Sequence, residues 1–321
     1  MYENKKVLLI AGGGTLGSYV SQELLRLGAS VDVICLEDLT SDNPKLRFFK
    51  NMATYEFLQE HFSQNHYDGI VNFIHYSKVE DYKKIHPLLI KNTNHLIFLS
   101  SYRVYANEQH PITEDAPRLT DVLKDEEFFQ NETYAYPKAL CEDYLTSERK
   151  GENWTIVRPV ISFSQRRLDL LMYSGSRVVN NAQSGEELVL PSMVKDYSAG
   201  LDWAGNSGKL IAHLLFKPEA IGETFTVYSG HNLTWDNIAK IYEKLIGLKV
   251  KYTDEKEFLD YNAHSLSANQ WWKWGWIYDR KFNRDIDCSK ILSVTKLSQS
   301  DFTPIEDGIK IELKNLGIEI K

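Results

Sequence analysis

Apolar positions recur along the first part of the chain with two different periods. Residues 7–11 form a short apolar run that ends in glycines, and residues 18–27 carry apolar side chains at the spacing of one helix face. Residues 31–36 then form a second strand-like run, in which Val31, Val33 and Cys35 alternate with their neighbours. A strand, a turn, a helix and a second strand in this order predict the opening of a parallel α/β sheet.

The same alternation continues to about residue 160. It predicts further strands at residues 48–49, 69–74, 96–99 and 154–157, with helices at 55–62, 82–90 and 134–148. The almost wholly apolar run at 69–74 is typical of a strand buried on both faces. Beyond residue 160 the pattern loosens. A strand is predicted at 225–228, a helix at 235–246 with Thr234 as N-cap, and a last helix that Thr303 caps and that has Pro304 at its first position.

A glycine-rich turn follows the first predicted strand and precedes the first predicted helix. Its sequence is Gly12-Gly13-Gly14-Thr15-Leu16-Gly17. Glycines allow a tight turn and close approach of a pyrophosphate, and the helix N-terminus offers free N–H groups and a partial positive charge. We therefore predict a Rossmann doubly wound parallel sheet in an NAD(P)-binding domain over residues 1–160. A smaller C-terminal α+β substrate lobe is predicted over residues 161–321, partly interleaved with the sheet.

Glu37 stands about 20 residues beyond this turn, at the end of the second predicted strand. A carboxylate there can accept hydrogen bonds from an adenosine ribose and would repel the additional phosphate of NADP. No arginine occupies residues 38–40. NAD is therefore favoured over NADP, and the alternative is that Glu37 is a solvated loop charge.

A second set of residues predicts acid–base chemistry. Tyr134 and Lys138 are four residues apart and share one helix face, so the ammonium can favour the phenolate. A phenolate can take the proton of an alcohol while hydride passes to a nicotinamide. Ser101 follows a predicted parallel strand, where α/β sheets place their ligands, and its hydroxyl can contact both the substrate oxygen and Tyr134.

These motifs resemble those of the extended short-chain dehydrogenases/reductases. The segment Ser100-Ser101-Tyr102-Arg103-Val104-Tyr105, followed by Tyr134-x-x-x-Lys138-x-x-x-Glu142, is similar to the NAD-dependent epimerase/dehydratase family, as are Arg158-Pro159 and residues 287–290 and 302–308. The resemblance implies NAD as cofactor, a nucleotide sugar as substrate, and leaves a homodimer open. The residues that it implies at the cofactor are Gly12, Gly14, Thr15, Leu16, Gly17, Glu37, Asn51, Met52, Ile74, His75, Tyr134, Lys138 and Pro159.

The chain departs from the family pattern at several places. Ala11 replaces the first glycine of the extended motif. Residues 69–105 are closest to an atypical subgroup that includes the chloroplast stem-loop-binding proteins, some of which are associated with RNA. Tyr102 and Arg103 stand where sugar-nucleotide 4,6-dehydratases carry an acidic pair, which makes epimerisation or simple oxidation and reduction the favoured reactions over dehydration.

The substrate side gives weaker signals. Basic candidates for a diphosphate are Arg166, Arg167, Lys195, Arg280 and Arg284, each with a solvated surface charge as the alternative; Arg166, Lys195 and Arg280 are taken as substrate-binding. The tryptophan-rich residues 271–276 could stack on a base, but packing between the C-terminal lobe and the Rossmann sheet, or a subunit contact, is the preferred interpretation.

Composition and charge narrow the alternatives. The chain is 43% hydrophobic and 25% charged, with a net charge of -7. The acidic balance argues against nucleic acid as a partner. No run reaches the ~20 apolar residues of a membrane helix. Three separated cysteines and the absence of a secretory signal favour the cytoplasm, and His61 and His66 lack the further ligands of a metal site.

We therefore predict an NAD-dependent epimerase or oxidoreductase that acts on a nucleotide sugar by hydride transfer through Ser101, Tyr134 and Lys138. Two alternatives remain open. One is a non-catalytic or RNA-associated Rossmann protein, and the other is a dehydrogenase or reductase of a non-sugar carbonyl compound.

Overall fold

The computed structural model describes residues 2–321 and is built on a seven-stranded parallel sheet. The strands are β1 (Lys6–Ile10), β2 (Ser30–Cys35), β3 (Leu46–Lys50), β4 (Gly69–Asn72), β5 (Leu96–Leu99), β6 (Trp154–Pro159), β7 (Ile161–Phe163), β8 (Glu187–Pro191), β9 (Leu201–Trp203), β10 (Thr224–Val227) and β11 (Lys249–Thr253). The large sheet has the order β10-β6-β5-β4-β1-β2-β3. The order in which strands are added to the sheet reverses between β1 and β4. Doubly wound sheets bind ligands at the carboxyl ends of the strands beside such a reversal.

Helices cover both faces of this sheet and build the second half of the chain. They are α1 (Thr15–Arg26), α2 (Tyr55–Gln64), α3 (Val79–Lys91), α4 (Leu119–Val122), α5 (Glu126–Asn131), α6 (Ala135–Asp143), α7 (Gly175–Ser184), α8 (Ala204–Leu214), α9 (Trp235–Ile246), α10 (Glu255–Tyr261), α11 (Ala263–Ala268), α12 (Gln270–Gly275), α13 (Ser289–Thr295) and α14 (Ile305–Asn315). Wider π-type turns extend α6 through Tyr144–Glu148 and α12 through Trp276–Arg280. The predicted Rossmann doubly wound sheet is confirmed.

The alternation of side chains along β1 explains why both faces are covered. Val7 and Leu9 belong to one apolar cluster, which includes α1 and α8, while Leu8 and Ile10 belong to another, which includes α2, α3 and α6. All four side chains are fully buried. The strand therefore has no solvent-facing side, as expected of a central parallel strand.

Residues beyond 160 contribute both to the sheet and to a core of their own. β10 pairs with β6 and forms one edge of the large sheet, and α8 packs on α1. Two small parallel pairs, β7 with β9 and β8 with β11, surround a third apolar cluster that contains Trp235, Tyr242 and Phe258. The domain boundary at residue 160 stays a prediction.

Two helix starts test the local sequence signals. Thr234 caps α9 as predicted, since its hydroxyl accepts a hydrogen bond from the N–H of Asn237 at 3.2 Å. The predicted cap of the last helix is wrong: α14 begins at Ile305, one residue after Pro304, and has no side-chain cap. The backbone of Thr303 is bound by Asn206 instead, which accepts from its N–H at 2.9 Å and donates to its carbonyl at 2.8 Å.

Among residues 2–321, no helix has the combined length and apolar character that crossing a membrane requires.

Candidate active site

The glycine turn between β1 and α1 is packed so closely that three of its positions, Gly12, Gly13 and Gly17, leave no room for a Cβ. A Cβ on Gly12 would lie 2.6 Å from Cβ of Leu9, and a Cβ on Gly17 would collide with the carbonyl oxygen of Gly12. Gly14 is different, because no atom lies within 4 Å of the place its Cβ would take. Gly14 precedes α1 without a side-chain cap, so the first N–H groups of the helix are free for a ligand.

Two cavities open at the carboxyl ends of the strands and meet at Ala11 and Gly14. The Glu37 cavity has a volume of about 400 Å³ and is lined by residues that follow β2, β3 and β4, together with Ile85 of α3. The Tyr134 cavity has a volume of about 570 Å³. Its walls contain the start of α1, the turn after β5, Tyr134, the segment after β6, and two residues from much later in the chain, Trp271 and Arg280.

The structure brings most of the predicted cofactor residues to these walls. Gly14, Thr15, Leu16, Gly17, Tyr134 and Pro159 line the Tyr134 cavity, and Gly14, Glu37, Asn51, Met52 and Ile74 line the Glu37 cavity. Gly12, His75 and Lys138 adjoin the walls. Two apolar side chains of the Glu37 cavity, Leu36 and Met52, are 65% and 62% exposed, which is typical of a surface that covers a ligand.

Tyr134 stands immediately before α6 with its ring between two other side chains. The ring lies 5.2 Å from that of His75 and 5.2 Å from the guanidinium carbon of Arg103, measured between centres. Glu132 is buried and accepts hydrogen bonds from the N–H groups of Tyr134 and Tyr136, each at 2.9 Å. Within residues 2–321 the Tyr134 hydroxyl makes no hydrogen bond, so it is available to a ligand in the cavity.

Lys138 lies behind this wall and is buried. Its Nζ donates to the carbonyl oxygens of Leu99, at the end of β5, and Ile74, at 3.4 Å. Burial lowers the pKa of Lys138 to about 8. Its ammonium is therefore held beneath the strand ends, one helical turn from Tyr134 along the backbone.

Ser101 caps a short 3₁₀ turn, Tyr102–Val104, that follows β5. Its Oγ accepts a hydrogen bond from the N–H of Arg103 at 3.2 Å, which leaves the hydroxyl proton free to donate. Ser101 and Tyr134 line the same cavity, so two of the three predicted catalytic residues face one space.

A buried ionic cluster, which the sequence did not reveal, joins this turn to residues 279–284 of the second half of the chain. Asp279 accepts hydrogen bonds from Tyr102 at 2.7 Å and from Arg284 at 3.2 Å, pairs with Arg280, and lies 3.3 Å from Nε of Arg103. Burial opposes ionisation of Asp279, but the three guanidinium groups outweigh it and hold the pKa of the carboxyl below its ordinary value.

The predicted substrate residues separate into different places. Arg280 lines the Tyr134 cavity, and Nη1 donates to the Tyr102 hydroxyl at 2.7 Å. Arg166 lies over the glycine turn, where it donates to the carbonyl of Gly13 at 3.1 Å and stands 3.7 Å from Glu37. Lys195 lies against the ring of Tyr252, away from both cavities.

The tryptophan-rich segment has one exposed member. Trp272, Trp274 and Trp276 are buried, but in apolar clusters other than the two that cover the faces of the large sheet. Trp271 is 39% exposed and lines the Tyr134 cavity, so the structure leaves one indole face free for a ligand.

Comparison with known families gives one match that spans more than half of the chain. The sequence model of the NAD dependent epimerase/dehydratase family matches residues 8–204. The UDP-glucose 4-epimerase of Lacticaseibacillus casei is 33% identical over 84 residues. That similarity spans only 24% of this chain and a quarter of the relative's own length.

Solved structures show that the whole chain shares its fold with proteins of low sequence identity. The ADP-L-glycero-D-manno-heptose-6-epimerase of Helicobacter pylori superposes with a TM-score of 0.68 at 13% identity, covering 98% of this chain and 97% of that one. The UDP-glucose 4-epimerase of Thermus thermophilus, solved as a complex with NAD, gives 0.64 at 15% identity, covering 97% of this chain and 99% of that one.

Proposed function

Because the chain belongs to the NAD dependent epimerase/dehydratase family, we propose that it is an NAD-dependent epimerase or oxidoreductase that acts on a nucleotide sugar. One observation carries the proposal: Ser101 and Tyr134 line the same cavity as the open first turn of α1. A proton-transfer group and a dinucleotide site would then face the same substrate position, which is the arrangement that hydride-transfer chemistry requires.

The cofactor part of the proposal depends on the two joined cavities. The free N–H groups of α1 would hold the pyrophosphate, since a helix N-terminus favours negative charge. Leu36 and Met52 would cover the adenine, and Glu37 would accept hydrogen bonds from the adenosine ribose. The carboxylate at this position supports NAD, whereas Arg166, 3.7 Å away, is the type of residue that accommodates the additional phosphate of NADP.

The chain's own residues would handle the proton. Tyr134 would take it from the substrate hydroxyl, while Ser101 would donate a hydrogen bond to the same oxygen. Lys138, one helical turn from Tyr134 along the backbone, would be the cation that favours a negative charge on the phenol oxygen. The chemistry that NAD supplies when bound is hydride transfer with the carbon that bears this oxygen. In an epimerase the proton returns to the oxygen and no net oxidation results.

The outer part of the Tyr134 cavity supports a nucleotide sugar. Two guanidinium groups lie in its wall, Arg167 beside Asp169 and Arg280 beside Asp279, and their N–H donors suit the oxygens of a diphosphate. Trp271 offers a free aromatic face to a base. Lys195 lies against Tyr252 away from both cavities, and Arg166 lies over the glycine turn, so neither is part of the proposed substrate site.

The test compares Tyr134→Phe with Tyr136→Phe. Tyr136 belongs to the same helix but packs on Phe129, outside both cavities. We expect Tyr134→Phe to retain bound NAD, measured by absorbance of the released dinucleotide, and to lose at least ~100-fold in turnover of sugar nucleotides, the usual contribution of a general base. Tyr136→Phe is expected to keep its rate.

Other results would decide between the forms of this proposal or overturn it. Net NADH formation with a sugar nucleotide would identify an oxidoreductase, whereas interconversion of isomers without net NADH would identify an epimerase. An unchanged rate in Tyr134→Phe would remove the proposed base. Salt-sensitive RNA binding without any turnover would favour the RNA-associated alternative.

A further inference from the structure

Arg103 has an unusual position for a buried arginine. It is 7% exposed, lines the Tyr134 cavity, and its guanidinium carbon lies 5.2 Å from the ring centre of Tyr134. Its only charged neighbours at salt-bridge distance in residues 2–321 are Asp279, 3.3 Å from Nε, and Glu132, 3.6 Å from Nη2. Nε has no hydrogen-bond partner in that part of the chain. A guanidinium group offers five donors, so this one is far from satisfied.

Charge around Arg103 is also out of balance. Three buried guanidinium groups, those of Arg103, Arg280 and Arg284, meet two buried carboxylates, Asp279 and Glu132. Both carboxylates have other partners as well: Glu132 caps α6, and Asp279 accepts from Tyr102. Burying an unpaired positive charge is costly, and this wall has one buried guanidinium group more than it has buried carboxylates to pair with them.

The next ion pair along the wall does not supply that anion. Asp169 lines the same cavity, but it already pairs with Arg167, so the two are neutral together. The surplus positive charge therefore stays at the end of the cavity that contains Arg103, Ser101 and Tyr134.

We propose that Arg103 binds a carboxylate on the sugar ring of the substrate, which makes the substrate a nucleoside diphosphate uronic acid. This inference rests on the proposed nucleotide-sugar function. The position of Arg103 supports a ring carboxylate over a diphosphate, because Arg103 shares its cavity wall with Ser101 and Tyr134, which the proposed function places at the reacting sugar carbon. A planar carboxylate matches the planar fork of an arginine through two parallel hydrogen bonds.

The test uses UDP-glucuronate and UDP-glucose, which share nucleotide and diphosphate and differ only in the carboxylate. Binding to the NAD-loaded protein is measured by calorimetry. We expect UDP-glucuronate to bind about tenfold to a hundredfold more tightly, the usual range for a hydrogen-bonded ion pair. Arg103→Gln is expected to abolish the preference, and Arg103→Lys to restore it in part, since the charge returns without the fork.

Matched controls separate recognition from folding. Arg177→Gln removes an exposed arginine that bonds Tyr261 outside both cavities, and it is expected to keep the preference. Thermal unfolding identifies any Arg103 variant that fails to fold. If Arg103→Gln is such a variant, the role of Arg103 is judged from the preference of the wild type for UDP-glucuronate and from the reduced preference of Arg103→Lys. UDP alone is measured as well: if Arg103→Gln weakens UDP as much as UDP-glucuronate, Arg103 holds the diphosphate and the inference is wrong.

The failures of the two proposals are distinguishable. Equal binding of the two sugar nucleotides, with turnover, overturns the role of Arg103 and leaves the proposed function standing. A carboxylate preference without turnover of any sugar nucleotide overturns the proposed function and leaves the role of Arg103. Absence of binding for both probes overturns the two together.

Discussion

The Glu37 cavity and the Tyr134 cavity share a wall but are built from different kinds of contact. The Glu37 cavity consists of the glycine turn after β1 and of short segments at the carboxyl ends of β2, β3 and β4, with one residue from α3. The Tyr134 cavity joins the turns after β1 and β5 to Trp271 and Arg280, more than 160 residues further along the chain. The first is a product of local sequence, and the second exists only when the two halves of the chain are packed together.

The charged groups of the two cavities also differ in their exposure to solvent. The Glu37 side chain is 43% exposed, and its ion pair with Arg166 is a surface contact. Asp279, beside the Tyr134 cavity, is 1% exposed and faces three arginines. Exposed ion pairs contribute little to stability, whereas a buried carboxylate among guanidinium groups cannot be removed cheaply. We therefore expect substitutions of the charged groups to affect stability at the Tyr134 cavity and to leave it nearly unchanged at the Glu37 cavity.

The largest expected effect comes from Asp279→Asn. The change keeps the shape of the side chain but leaves three buried guanidinium groups without their shared carboxylate. We expect the free energy of unfolding to fall by about 3–5 kcal/mol, measured by urea denaturation. Asp260→Asn, which breaks an exposed pair with Lys256, is expected to change it by no more than about 0.5 kcal/mol. Glu37→Gln should resemble the control; a loss as large as that of Asp279→Asn would erase the contrast between the cavities.

Glycine substitutions test the shared turn. In Gly17→Ala the new Cβ collides with the carbonyl of Gly12, and we expect a loss of about 1–3 kcal/mol together with weaker NAD binding. Gly14→Ala places its Cβ in open space, so stability should stay within about 0.5 kcal/mol while the methyl group obstructs the cofactor. Fluorescence titration with NADH and thermal unfolding measure both quantities. Equal stability losses in the two variants would contradict the packing described here.

The contrast also explains how far sequence alone could predict the molecule. The glycine turn, Glu37 and the strand ends were predictable because each depends on residues close together in the chain. Ser101 was predictable as a ligand contact because parallel strands end at the same edge of a sheet, whereas its pairing with Tyr134 came from the resemblance to the family.

The parts that could not be predicted all depend on distant partners. Asp279 meets Tyr102 across 177 positions, and Arg166 meets Gly13 across 153. Nothing in the neighbourhood of these residues in the sequence distinguishes them from surface charges. Glu132 alone had a local signal, as an acidic residue just ahead of the helix that it caps.

Lys138 is predictable from its local spacing to Tyr134, but its burial depends on distant residues, and the dependence of stability on pH can test that burial. Burial lowers the pKa of its ammonium from 10.5 to about 8. Between these two values the folded protein has lost the proton while the unfolded chain keeps it, so the unfolded state binds more protons and stability rises with pH. Relative to Lys138→Met, wild type is expected to gain up to about 1.4 kcal/mol per pH unit above pH 8. Parallel stability curves for the two proteins from pH 7 to 10 would show that Lys138 is not buried as a cation.

The smallest effect is expected at Ala11, where the two cavities meet. Its φ of 57° lies in the left-handed region, which costs an L-residue with a Cβ about 1 kcal/mol and costs glycine nothing comparable. Ala11→Gly should therefore raise the free energy of unfolding by up to about 1 kcal/mol, less the greater chain entropy of glycine when unfolded. Ala29→Gly, in a buried position without positive φ, is the control and should destabilise.

The cofactor decides what this gain means. If Ala11→Gly stabilises the protein and leaves the affinity for NADH unchanged, the strain at Ala11 is a property of the turn alone. If affinity rises as well, the left-handed residue limits how closely the turn approaches the pyrophosphate, and the junction of the cavities belongs functionally to the cofactor side. A destabilised Ala11→Gly would show that contacts of the Ala11 methyl group outweigh the backbone strain.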